Sequence, residues 1–135
     1  MTAVSTPNPF LADSVLTASP ERLLIMLYDR LALDLVRGER AIAARDTDEV
    51  HKRLTNAQAI VTELRTELDV TIWPEGASLI AVYDYIIKLL VDANIYKDAT
   101  KVAEARALVA PLHDAWKTVA GRAITSNDLG QRVRS

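Results

Sequence analysis

The sequence contains no cysteine, which excludes disulfides and thiolate metal centres and fits a reducing compartment. Glycine and proline are scarce, at four and five of 135 residues, so long helices are favoured over a turn-rich sheet. Charge of one sign is also lacking. With 16 basic and 18 acidic residues the net charge is -2, leaving no basic field to hold nucleic acid or an anionic membrane. No apolar run approaches the roughly 20 residues of a membrane span, and the first basic residue is Arg22, too late for the charged start of a secretory signal. The expectation is a soluble, cytoplasmic chain with no nucleic-acid partner and no membrane insertion. Neither His51 nor His113 has Glu three residues before it, as a di-metal bundle oxidase would require. No Gly-rich phosphate loop or Ser-His-Asp grouping is evident. No catalytic residue, metal or cofactor is therefore expected, and the chain does not read as an enzyme.

What is present is apolar periodicity. Half of the residues are hydrophobic, enough for one continuous core in a single domain. Residues 1–18 are polar and proline-punctuated, with one apolar patch of Phe10, Leu11, Val15 and Leu16, and read as a flexible arm. Ser19-Pro20-Glu21 is a helix start: a capping hydroxyl, a proline at the first position and an acid at the positive end of the helix dipole. The first helix should run from Pro20 to about Ala44, with Leu24, Leu27, Tyr28, Leu31, Leu35 and Ile42 on one face. Asp46 and Glu49 have capping-box spacing and open a second helix, about Thr47 to Asp69, with a narrow stripe from Val50 to Leu68. Trp73, Pro74 and Gly76 break the pattern before a third helix at about Ala77 to Lys97.

Asp98 caps a fourth helix, whose stripe Val102, Ala105, Val109, Leu112, Trp116, Val119 and Ala123 stays in phase across Pro111, so that proline should kink the helix rather than end it. From Thr125 onward periodicity stops and a flexible tail, 125–135, is expected. Four amphipathic segments with short connections predict an all-α, antiparallel four-helix bundle over residues 19–124 with an N-terminal arm.

The third helix is broader in apolar surface than a bundle position needs. Leu79, Val82, Tyr83, Ile86, Leu90 and Ala93 suffice as an inward face, yet Tyr85, Leu89 and Tyr96 flank one side and Ile80, Ile87 and Val91 the other. Two readings stand: the helix is simply the most enclosed of the four, or one flank lines a groove for another chain. Ile25, Ala32 and Val36 widen the first helix in the same way, and Met26 and Leu33 lie outside its stripe. His51, at the edge of the second stripe, permits a histidine phosphotransfer domain as an alternative, and a helical adaptor dimerising through the third helix is another. His113 reads as a surface residue near Pro111.

The run Thr17-Ala18-Ser19-Pro20-Glu21-Arg22-Leu23-Leu24-Ile25-Met26-Leu27-Tyr28-Asp29 resembles the first-helix signature of the FliS family of flagellar secretion chaperones. Ala57-Gln58-Ala59-Ile60-Val61 with Glu63, Leu64, Leu68 and Asp69 resembles the family's second helix. Val82-Tyr83-Asp84-Tyr85-Ile86 with Asp92-Ala93-Asn94 resembles the third, and Leu112 and Trp116 the end of the fourth. Arg30 stands where the family usually has Gly after Leu-Tyr-Asp, and Phe10 stands about where it tends to have Tyr. The resemblance implies a cytoplasmic export chaperone that binds the disordered C-terminal segment of flagellin, prevents premature polymerisation and delivers it to the flagellar export gate. The free protein is expected to be a monomer, binding its client 1:1. The expected flagellin-binding residues are Ile25, Tyr28, Ile60, Leu64, Ile80, Tyr83, Ile87, Val91 and Asn94. Phe10, Leu11, Val15 and Leu16 are expected either to form a lid over the client groove or to staple the start of the first helix.

Overall fold

The computed structural model describes residues 19–68, 74 and 76–134, with side chains through Val119 and at Gly121. The arm residues Phe10, Leu11, Val15 and Leu16 lie outside the described residues. Among those described, helices α1 (Pro20–Ala43), α2 (Thr47–Glu67), α3 (Gly76–Tyr96) and α4 (Ala99–Arg134) make up the fold. The expected boundaries hold to within two residues, except that the α4 backbone continues past Thr125 to Arg134, well beyond its apolar stripe. Once a helix is nucleated, each further residue adds one hydrogen bond without a new nucleus, so backbone helix can outrun side-chain packing. Pro111 lies inside α4 and does not end it.

The ends are set locally. The Ser19 hydroxyl accepts the Arg22 N–H at 3.2 Å, Asp46 accepts the Glu49 N–H at 3.2 Å, and Asp98 accepts the Thr100 N–H at 2.9 Å. At the other ends, Arg45 and Lys97 adopt left-handed φ values of 59° and 51°. The following amides, Asp46 and Asp98, reach back to the Ala41 and Ala93 carbonyls, each at 3.0 Å, closing Schellman turns.

Each helix packs on two neighbours in a ring, α1 on α2 and α4, and α3 on α2 and α4. Cross-helix pairs run in opposite order along adjacent helices. His51 meets Asn94 while Arg65 meets Asp84, and Asp29 meets His113 while Glu39 meets Arg106. α2 and α3 therefore run antiparallel, as do α1 and α4. The core is built from Tyr28, Leu31 and Leu35 of α1, Val50 to Leu64 of the α2 stripe, Tyr83, Ile86 and Leu90 of α3, and Val102, Ala105 and Val109 of α4.

One charge is fully enclosed: Asp34, at 0% exposure, is held between Arg30 at 3.4 Å and Arg53 at 3.3 Å, and Arg53 continues to Glu49 at 2.5 Å. A buried carboxylate is tolerated only when paired in this way. Arg30, the departure from the family's usual Gly, thus shares in neutralising it. Next to this clamp a Cβ at Gly38 would come 2.9 Å from Leu54 Cδ2, so glycine there allows α1 and α2 to approach closely.

Candidate functional site

The first five apolar residues of α1, Leu23 to Leu27, cover more than one helical face. Only Tyr28, a residue later, is fully enclosed; Leu24, Met26 and Leu27 are part-buried and Leu23 is exposed. At this end of the bundle α1 and the last turns of α2 leave an open groove of about 680 Å³. Leu23, Leu24, Met26 and Leu27 form one wall, Glu63, Leu64, Glu67 and Leu68 the other, and Tyr83 and Trp116 close the floor. Trp116 is shared with a second cleft, of about 430 Å³, in which Leu79 and Val82 of α3 face Leu112 and Val119 of α4. The two openings form one apolar surface that passes over the indole. Leu27, Leu112 and Trp116, expected in the core, are here its half-buried lining.

The floor carries a polar cluster. The Tyr28 and Tyr83 hydroxyls lie 2.6 Å apart, buried. Burial pushes both phenols above their ordinary range, Tyr83 strongly, so both stay neutral and serve as hydrogen-bonding groups only. His113 stacks on Tyr28 with ring centroids 5.8 Å apart, and its Nε2 lies 2.6 Å from Asp29 Oδ1. His113 is therefore not the surface residue expected: it is 9% exposed and fills the seam between α1 and α4. The ring's flat face substitutes for an apolar side chain while its edge reaches a carboxylate.

The expected client-contact residues do not form one patch. Tyr28, Leu64 and Tyr83 are core residues, although Leu64 and Tyr83 also line the groove. Ile60, one turn before Leu64, is half-buried against the core and does not line the groove. Ile80, Ile87, Val91 and Asn94 share a different face, on the α3 side that meets α2, where Asp84 pairs with Arg65. Asn94 itself lies 3.0 Å from His51 Nδ1 and accepts from Lys97 at 2.7 Å, so its amide is already engaged. Ile25 sits one and two turns before Asp29 and Ala32 on the α4-facing side of α1.

Leu89, read as a flank, is 4% exposed and belongs to the core, because α3 is enclosed by two neighbours. The groove residues that sequence reasoning missed are Leu23, Leu24, Met26 and Leu68. The signal for them was the unbroken apolar run at the start of α1, which no single 3.6-residue face can bury.

Among the described residues no group of His, Cys, Asp and Glu could hold a metal ion, and no helix is long and apolar enough to cross a membrane. The arrangement offers apolar surface, hydrogen-bonding phenols and carboxylates at a rim, which suits binding of another chain.

The model of the family described as flagellar protein FliS matches residues 6–123. The flagellar secretion chaperone FliS of Bacillus subtilis (strain 168) is 37% identical over 113 residues, covering 82% of this chain and 84% of that protein. The protein of the same description from Escherichia coli (strain K12) is 34% identical over 109 residues, covering 78% and 79%. That from Salmonella typhimurium (strain LT2) is 32% identical over 113 residues, covering 82% and 84%.

Proposed function

This chain belongs to the FliS family of flagellar secretion chaperones, which is not an enzyme family, and on that premise we propose that it acts as an export chaperone for flagellin. It binds the C-terminal segment of flagellin, keeps the subunit from polymerising prematurely and hands it to the flagellar export gate. The observation that carries the reading, beyond family membership, is the apolar surface left open on both sides of Trp116, lined by residues of all four helices. A segment that becomes helical only inside a filament has an apolar face without a partner beforehand. A groove of this size offers that face a partner, and part of the gain, about 2 to 5 kcal/mol, is offset by ordering the client.

The groove lined by Leu23, Met26, Leu27 and Trp116, with Leu64 and Tyr83 at its margin and floor, is the primary client seat. Ile80, Ile87 and Val91 on the α2/α3 face, and Ile25 on the α4-facing side of α1, are secondary contacts that a longer client segment reaches. The arm residues Phe10, Leu11, Val15 and Leu16 enter beside Pro20, which itself lines the groove, and act as a lid on it when no client is bound.

Calorimetric titration with a flagellin C-terminal peptide tests the assignment. A 1:1 complex of a monomeric chaperone with a negative heat-capacity change is expected. Leu23→Asp should weaken binding at least about tenfold without unfolding the bundle, since Leu23 is already exposed. Ile87→Asp should weaken it less. Absence of binding by the unmodified protein would sink the flagellin reading, and a larger effect of Ile87→Asp than of Leu23→Asp would move the primary seat to the α2/α3 face.

A further inference from the structure

The groove has a charge as well as a shape. Among the described residues its only charged lining residues are Glu63 and Glu67, one helical turn apart on the α2 wall and both exposed. The ion pairs of this region go elsewhere: Arg65, between them in sequence, turns to Asp84 of α3 at 2.6 Å, and neither glutamate takes part in any of the ion pairs formed by the described residues. Across the groove, Glu21 and Arg22 cancel in the first turn of α1, and the next basic residue, Arg30, is spent on Asp34.

Residues 1–18 contain Asp13 and no Lys or Arg, and residues 69–75 contain Asp69 and Glu75 and no Lys or Arg. On α4, Lys117 beside Trp116 is exposed and is not among the groove's lining residues, and Arg122, Arg132 and Arg134 follow further along the helix. Neither segment that leads into α1 or out of α2 therefore brings a basic side chain to the two carboxylates.

We propose that the groove selects an amphipathic helical segment whose apolar face is bordered by two basic residues about one turn apart, set against Glu63 and Glu67. The inference deepens the client-binding reading and rests on it for the occupant's being a segment of another chain. Carboxylates beside a low-dielectric wall concentrate their field toward the groove, so a basic client is steered in and held in register. The same pair gives such a client an advantage over any segment without basic side chains, residues 1–18 included. A segment with acidic borders meets like charge at both positions.

Two synthetic helical peptides with the same leucine face, one bordered by lysines and one by glutamates, test this on the full-length protein. Affinities are measured at about 20 mM and about 500 mM salt, conditions that respectively leave and remove exposed-charge interactions. The lysine peptide is expected to bind about threefold to tenfold more tightly at low salt, as two exposed pairs provide. The preference should vanish at high salt and in Glu63→Gln/Glu67→Gln, and reverse in Glu63→Lys/Glu67→Lys. Leu23→Asp should weaken the lysine peptide.

Equal affinity for the two peptides, no binding of either, or indifference of the lysine peptide to Leu23→Asp would overturn the proposal. A flagellin peptide that fails to bind, while the lysine preference persists and follows the glutamates, removes the flagellin reading and leaves this one standing. Flagellin binding indifferent to salt and to both glutamate substitutions removes this one alone.

Discussion

At the scale of single residues, the decisive groups are polar ones placed where the helical pattern calls for apolar ones. The Tyr28 and Tyr83 hydroxyls serve each other. Tyr83→Phe should cost about 1 to 3 kcal/mol in denaturant melts, because it strands one buried hydroxyl. Tyr28→Phe should likewise strand the Tyr83 hydroxyl, and the double variant should cost less than the sum of the singles. Full additivity would show that the phenols are not coupled.

The Arg53 guanidinium holds the Glu49 carboxyl below its ordinary range. Because the folded-state value is the lower one, that stabilisation is complete above the unfolded-state value and is lost as pH falls through the folded-state value. Glu49→Gln should therefore flatten the acid limb of the stability profile between about pH 5 and about pH 3. An unchanged limb would assign acid sensitivity elsewhere. Asp34 and His113 show why such residues were illegible in the sequence: each is polar, and its partners, Arg53 and Tyr28, lie 19 and 85 residues away. Arg30, one turn before Asp34, is the single local sign of a pair, and it says nothing of burial.

Elements were far more legible, because their ends and faces depend on neighbours within a few residues. Ser19, Asp46 and Asp98 cap as their identities require, and the stripes of α1, α2 and α4 point inward as the 3.6-residue period demands. What the period could not tell was which flank of a broad apolar helix is covered. On α3, Leu89 is enclosed at 4% exposure while Tyr85, Ile95 and Tyr96 remain 45%, 64% and 72% exposed, although α3 has two neighbours like every other helix. Ile86, at 0% exposure, marks the centre of its inward face, so Ile86→Ala should cost about 2 to 5 kcal/mol; a change below about 1 kcal/mol would mean that the face is misassigned. The left-handed residue that closes α1 is Arg45, exposed and carrying a Cβ that this conformation disfavours. Arg45→Gly should therefore raise stability by about 1 kcal/mol by chemical denaturation, and a loss would show that the side chain contributes more than its strain costs.

At the scale of the whole molecule, α1, α2, α3 and α4 present a closed ring of contacts but an unfinished end. The groove and its neighbouring cleft meet there, beside the start of α1 at Pro20 and the end of α2 at Leu68. The sequence showed that the arm carries an apolar cluster and the bundle spare apolar surface, but not where that surface opens, since that depends on how four helices are arranged. Pro20 at the groove's rim supplies the missing geometry.

A tethered arm has a local concentration near the groove in the millimolar range, so an arm with an intrinsic dissociation constant of about 0.1 mM would lower apparent client affinity about tenfold. Deleting residues 1–16 should then strengthen client binding by about that factor. The same deletion should lower the solubility of the free chaperone, because Leu23, Met26 and Trp116 lose their cover together. Calorimetry and a concentration-dependent scattering assay on the truncated protein measure the two effects separately. The competing staple, in which the apolar arm residues only steady the start of α1, predicts a lower melting temperature with neither change. Unchanged affinity and unchanged solubility would therefore exclude the lid, and a joint rise in affinity and fall in solubility would exclude the staple as the arm's sole role.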